Sequence, residues 1–244
     1  MALDNLNLIF NSGVVEGILG PNGSGKTTAL RIMAGIVKMD SGSIMIDGKE
    51  VEDYKKFSGT DISYVPEVPV LYETLTGDEY CDIYAEVRKD SDTDYYKRKE
   101  RIADALSISG VMGKPIGTLS FGTKQKISIL SALASDPQIL ILDESLNGLD
   151  PASIIVVKEV IKEMTSTGHF VIFSTHLLDI AEIVCQRVQI LNKGKRVLEG
   201  NMDDLQGDGE SGFLEKLFLN ITGNGDLIDR AKRVGDYLFR SEDS

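Results

Sequence analysis

The chain has 244 residues, 42% hydrophobic and 26% charged, and 26 Lys and Arg against 38 Asp and Glu give a formal net charge of −12. That length can bury the core of one large domain, and the acidic balance disfavours a nucleic-acid partner. No apolar run reaches the roughly 20 residues that cross a bilayer, the first residues lack the pattern of a signal peptide, and Cys81 and Cys185 stand far apart with no zinc-type cluster around them.

Short β-branched runs alternate with helix-length segments. Residues 14–19 read as a strand, and 26–35 as a helix that ends on glycine. Residues 43–51 read as a hairpin around Asp47-Gly48, a pair that tolerates the positive φ of a tight turn. Residues 61–65 are a further strand, and 77–106 and 121–135 are helical in pattern. The continuous apolar run 139–142 predicts a parallel strand covered on both faces. Pro151 opens a helix to about residue 167, at the position a helix tolerates. A buried strand over 170–174, a helix over 177–185, and a hairpin of 188–191 with 196–198 follow. The alternation predicts an α/β fold with a parallel sheet, and 77–135 reads as a helical insertion into it. Residues 207–212 are linker-like, and 213–219 and 227–239 are short amphipathic helix candidates.

Gly20-Pro21-Asn22-Gly23-Ser24-Gly25-Lys26-Thr27 has the spacing GxxxxGK[ST] between a strand and a helix. Glycines let backbone N–H groups turn inward as an anion nest, and the helix N-terminus adds its positive dipole end. Asn22, Gly23, Ser24, Gly25, Lys26, Thr27 and Thr28 are therefore expected to bind a nucleoside triphosphate. Lys26 would reach the β- and γ-phosphates, and the Thr27 hydroxyl would bind Mg²⁺. Asp143 and Glu144 end the apolar strand, at the sheet edge where α/β folds bind ligands. Asp143 is expected on Mg²⁺, and Glu144 is expected to polarise the attacking water.

Leu119-Ser120-Phe121-Gly122-Thr123-Lys124-Gln125 resembles the LSGGQ signature of ATP-binding-cassette (ABC) ATPases. Ser120 and Gly122 match, whereas Phe121 and Thr123 replace the usual glycine and glutamine. Asn147-Gly148-Leu149-Asp150 resembles the family's D-loop, and Ser174-Thr175-His176 its histidine switch. Tyr64-Val65-Pro66-Glu67 stands at the Q-loop, with Glu67 in place of glutamine.

The resemblance implies an α/β P-loop ABC-type ATPase domain. It has a mixed sheet core, an antiparallel β portion toward the N-terminus and an inserted helical subdomain. Residues 1–206 would form this domain and 207–244 a short C-terminal tail. It further implies ATP and Mg²⁺ as ligands, with Glu144, His176, Lys26 and Glu67 catalytic and Thr27, Asp143 and Glu67 toward the metal. Ser120 and Gly122 would cap the ATP of a partner subunit in a head-to-tail dimer, either a homodimer or a pair with a paralogue.

The implied function is an ATP-hydrolysing subunit that powers transport through separate integral membrane permeases, with export expected over import. The chain would then be cytoplasmic and peripheral on the inner face of the cell membrane. The permease would meet a groove between the helical insert and residues 67–72. A non-transport ABC ATPase of DNA repair or translation, and a nucleotide-dependent switch, remain alternatives. Family members carry an adenine-stacking aromatic upstream of the segment Ala2-Leu3-Asp4-Asn5. None precedes Leu3 here, so weaker ATP binding and poorer base discrimination are expected. The cluster Lys97-Arg98-Lys99-Glu100-Arg101 reads as a solvated helix face, and His169 as structural.

Overall fold

A computed structural model of the chain describes residues 2–46, 48–51, 62–88, 93–206, 212–221 and 230. The chain runs β1 (Val15–Leu19), α1 (Lys26–Met33), β2 (Met45–Ile46), β3 (Lys49–Glu50), β4 (Ile62–Val65), α2 (Gly77–Arg88), α3 (Thr93–Ala105), α4 (Phe121–Ala134) and β5 (Ile139–Asp143). It continues through α5 (Pro151–Ser166), β6 (Phe170–Thr175), α6 (Leu178–Val184), β7 (Arg187–Asn192), β8 (Lys195–Asn201), α7 (Met202–Gln206) and α8 (Phe213–Ile221).

Six strands form a mixed sheet in the order β4-β5-β6-β1-β7-β8. All neighbours are parallel except β7 and β8, which form the expected hairpin. The antiparallel portion near the N-terminus is the two-stranded β2-β3 hairpin, where Met45 faces Glu50 and Ile46 faces Lys49.

Alternation along each strand decides which helix covers which face. Leu140 and Leu142 of β5 join one apolar cluster, with Val171 and Phe173 of β6. Ile127, Leu130 and Leu133 of α4 and Val157 and Ile161 of α5 cover that face. Ile141 and Ile172 point the other way, with Ile18, onto Leu30 and Ala34 at α1. Helices on both faces explain why β5 and β6 read as unbroken apolar runs.

The same parity assembles the polar end of the sheet. Asp143 is two residues beyond Ile141 and so shares the α1 face. Ser174 stands directly opposite Asp143 in the β5-β6 register, and Tyr64 stands beside Ile141 in the β4-β5 register. Tyr64, Asp143 and Ser174 thus converge with the start of α1 at the C-terminal ends of parallel strands.

Two expectations change in detail. The helical stretch 77–106 is two helices, α2 and α3, with 89–92 outside the described residues. The basic cluster 97–101 is not simply a solvated face. Lys99 sits between Asp78 and Asp82 at 3.2 and 2.9 Å, and Arg98 Nε donates to the Ala134 carbonyl at 2.7 Å. Arg98 and Lys99 clamp α3 to α2 and α4, whereas Lys97, Glu100 and Arg101 stay exposed, as expected of a solvated face. In the tail, the helix expected over 213–219 is α8 (Phe213–Ile221), whose Leu214 is buried. The proposed helix over 227–239 and linker positions 207–211 lie outside the described residues, apart from residue 230.

Candidate nucleotide site

The loop from β1 to α1 carries the phosphate-binding spacing. Gly25 caps α1 with φ +106°, and a Cβ there would lie 2.7 Å from Leu3 Cδ2 and 2.9 Å from the Ala2 carbonyl. Only glycine satisfies both the left-handed backbone and the close approach of the N-terminal segment. Ser24 is buried, and its Oγ has no hydrogen-bond partner among the described residues. Asn22 and Gly23 are exposed at the loop tip, and Thr28 is half-buried on α1.

Lys26 is almost wholly buried. Its Nζ donates to the Gly20 carbonyl at 2.8 Å and the Pro21 carbonyl at 3.4 Å, and pairs with Glu144 Oε1 at 3.1 Å. Glu144 follows β5 in a left-handed conformation, φ +49°, which costs a non-glycine residue roughly 1–2 kcal/mol. Its N–H is held at 3.1 Å from both the Ser174 carbonyl and Ser174 Oγ. Its Oε2 meets His176 Nδ1 at 2.5 Å and accepts from Asn147 Nδ2 at 3.2 Å. Burial pushes the Glu144 carboxyl up. The hydrogen bonds and charges of Lys26 and His176 outweigh that, and the carboxyl is held below its ordinary value.

Asp143 is also buried, and three hydroxyls surround it. Ser174 Oγ and Thr27 Oγ1 donate to Oδ1 at 2.7 and 3.2 Å, and the Tyr64 hydroxyl donates to Oδ2 at 2.8 Å. Burial first, and then the Asp143 carboxylate, push the Tyr64 phenol up to about 12, so it stays a donor at ordinary pH. Thr27 and Asp143 offer oxygen donors alone, the chemistry of a hard divalent cation. No group of three or more acidic, His or Cys residues forms a cage among the described residues.

Glu67 is exposed and makes no hydrogen bond or ion pair with a described residue. The structure therefore does not join it to Asp143, Thr27 or Glu144. Its loop is anchored instead through Pro66, whose carbonyl accepts from Gln125 Nε2 at 3.2 Å, and through Glu73, which pairs with Lys124 at 2.9 Å.

Ser120 caps α4: its Oγ accepts from the Thr123 N–H at 3.3 Å and lies 2.9 Å from Thr123 Oγ1. A hydroxyl retains capacity for another bond. Phe121 is exposed, and its ring lies against Gly148. A Cβ on Gly122 would lie 2.8 Å from the Gly148 carbonyl, so α4 and the 147–150 turn meet backbone to backbone. No hydrogen bond or ion pair joins residues 120–123 to 20–28 among the described residues. The chain thus gathers Ser24, Lys26, Thr27, Asp143, Glu144 and His176, and bonds Ser120 and Gly122 to none of them among the described residues.

Sequence reasoning missed the contacts of Tyr64, Ser174 and Asn147 with the two acids. It noted these residues only as parts of motifs. His169 is structural as expected, with Nδ1 3.0 Å from the Met164 carbonyl and Nε2 3.2 Å from Asp136.

Residues 3–147 match the profile of a family described as ABC transporter. Over 207 residues the chain is 36% identical to YhcH of Bacillus subtilis, an uncharacterized ABC transporter ATP-binding protein; the match covers 83% of this chain and 66% of YhcH, just under two thirds of that relative. A solved ATP-binding subunit of an ABC transporter shares the fold with a TM-score of 0.82 at 29% identity, covering 91% of this chain and 93% of that one. The dimeric ATP-binding cassette MJ0796, bound to ADP and Pi in a post-hydrolysis state, gives a TM-score of 0.73 at 26% identity, covering 82% and 90%.

Proposed function

The chain belongs to the ABC transporter family, in which an ATP-binding cassette couples ATP hydrolysis to transport, and on that premise we propose how its own residues carry the reaction. The observation that carries the reading is the Lys26–Glu144–His176 cluster at the end of β5, beside the phosphate loop.

Lys26 exchanges Glu144 for the β- and γ-phosphate oxygens when nucleotide binds. The Ser24 hydroxyl and the amides that open α1 supply further donors to the phosphates. Thr27 and Asp143 would hold Mg²⁺, which would supply neutralisation of the phosphate charge. Glu144, freed from Lys26 and still oriented by His176 and Asn147, accepts a proton from water as the water oxygen bonds the γ-phosphorus. The bond to the ADP oxygen breaks in the same displacement. General-base help of this kind contributes typically 10²–10⁴-fold. Glu67 would approach the phosphates or the metal only after its loop moves.

Ser120 and Gly122 would bind the ATP of a second cassette in a head-to-tail dimer. The dimeric MJ0796 cassette supports the same assembly by similarity. We divide the chain at residue 206, with 77–135 as its helical insert.

The permease would seat on residues 67–72, where Val68, Val70 and Tyr72 expose apolar side chains. The Gln125–Pro66 and Lys124–Glu73 bonds would carry that contact to the signature helix α4. No helix among the described residues is long and apolar enough to cross a membrane. We place the cassette at the cytoplasmic face, acting through membrane subunits. Export is favoured by the Glu67 variant and the segment 213–218, which resemble exporters built from separate chains.

Affinity purification from detergent-solubilised membranes tests the reading. A co-purifying polytopic membrane protein, with vanadate-sensitive ATP hydrolysis, is the expected result. Recovery of ribosomes or DNA-repair proteins in its place would overturn the transport role.

A further inference from the structure

We propose that Tyr64 is a positioning residue for the divalent cation: its hydroxyl, bonded to Asp143 Oδ2 at 2.8 Å, fixes the carboxylate so that Oδ1 stays turned toward Thr27. This rests on the reading that Thr27 and Asp143 hold the cation.

The argument begins with the torsion of the aspartate side chain. The last dihedral of Asp turns about an sp³–sp² bond, whose preference is broad and roughly two-fold. The backbone of β5 therefore places the carboxyl carbon but leaves the plane of its two oxygens to be set by hydrogen bonds. Ser174 and Thr27 both act on Oδ1. Tyr64 supplies the only protein bond to Oδ2 among the described residues. Two donors on one oxygen permit a swing about that oxygen; a donor on the other oxygen stops it.

The fold explains why a tyrosine can do this. Tyr64 neighbours Ile141 in the parallel register, and Asp143 is the next residue of β5 on that face. Such diagonal neighbours lie within reach of an aromatic side chain. A Phe ring at that position would pack alike and leave Oδ2 without its donor. The phenol oxygen lies 3.4 Å from Arg31 Nε, so the hydroxyl accepts from a cation while donating to the carboxylate. Tyr64 also opens the segment that leads to Pro66 and Glu67, which ties the metal carboxylate to the base of the loop proposed to face the permease.

The test uses Mn²⁺ as the probe, titrated into the full chain saturated with ADP, with bound Mn²⁺ followed by electron paramagnetic resonance. Tyr64→Phe should raise the Mn²⁺ dissociation constant roughly threefold to tenfold, the scale of one lost hydrogen bond. Its ADP affinity in EDTA should stay within about twofold of wild type, since the loop contacts are untouched. Tyr84→Phe is the control: its hydroxyl bonds Ser63 Oγ at 3.2 Å, away from Asp143, and the substitution should leave Mn²⁺ affinity unchanged. Thr27→Ala should weaken Mn²⁺ binding.

Unchanged or tighter Mn²⁺ binding in Tyr64→Phe, with Thr27→Ala weakened, overturns the role of Tyr64 alone. An equal loss of ADP affinity in EDTA overturns it too, by showing a general disturbance of the site. If the wild-type chain with ADP takes up no Mn²⁺ beyond what ADP binds in solution, the cation reading falls, and the proposal with it.

Discussion

Lys26 Nζ and Glu144 Oε1 form an ion pair of 3.1 Å, with both side chains more than nine-tenths buried. The pair joins the phosphate loop to the end of β5, and the proposed reaction needs its two members in different places. Breaking a buried pair by removing one partner leaves the other charge uncompensated. Lys26→Met is therefore expected to destabilise the chain by about 3 kcal/mol. The double variant Lys26→Met/Glu144→Gln should lose less than the sum of the two singles, by roughly 0.5–3 kcal/mol. Denaturant unfolding of the four proteins measures this coupling.

The acid response follows from the same carboxyl. The folded chain holds Glu144 below its ordinary value, so as pH falls the unfolded chain takes up the proton first. The stabilisation is thus complete above the ordinary carboxylate range, near pH 4.3, and is lost as pH drops through the lower native value. The stability difference between wild type and Glu144→Gln should shrink as pH falls from about 5 toward 3. Thermal unfolding of both proteins across that range gives the comparison.

The approach of α4 to the 147–150 turn predicts a different kind of defect. Gly122→Ala puts a methyl 2.8 Å from the Gly148 carbonyl, where backbone must move. A cost of about 1–3 kcal/mol is expected, as for other overpacked sites. Nucleotide binding by the chain's own phosphate loop should be retained, because no bond among the described residues links that loop to residues 120–123. ATP-dependent dimer formation should fall. Isothermal titration with ADP and sedimentation with ATP separate the two effects.

Asp150 closes the same turn from the other side. It caps α5 by accepting from the Ser153 N–H at 2.9 Å, and it pairs with Lys126 of α4 at 2.7 Å. The Lys126 contact, then the two Ser153 bonds, hold its carboxyl well below the ordinary range. Asp150→Ala should cost about 1 kcal/mol, the usual loss of an N-cap. Asp150→Asn keeps a capping oxygen and should cost less than half as much. Chemical unfolding distinguishes them, and equal losses would assign the effect to the ion pair.

The parts legible in the sequence were those that local chemistry determines. Glycine spacing marked the phosphate loop, an apolar run ending in acids marked β5, and the helical pattern of 121–135 marked α4. The rest depended on register, which one sequence does not contain. Nothing in residues 62–65 says that Tyr64 will lie beside Ile141 and reach Asp143. Nor does the cluster 97–101 disclose that Lys99 will sit between two aspartates of α2, because that needs the angle between two helices. Glu67 shows the converse. Its place in the motif order suggested a bond to the metal site, but Gln125 and Lys124 anchor its loop on either side of it and leave the carboxylate in solvent.

The central claim is that Glu144 takes the proton from the attacking water, and steady-state ATP hydrolysis by wild type and Glu144→Gln tests it most directly. The account predicts that the variant binds ATP, loses at least about 100-fold in turnover and accumulates as a closed dimer. Turnover within a few-fold of wild type, with ATP binding intact, would contradict it.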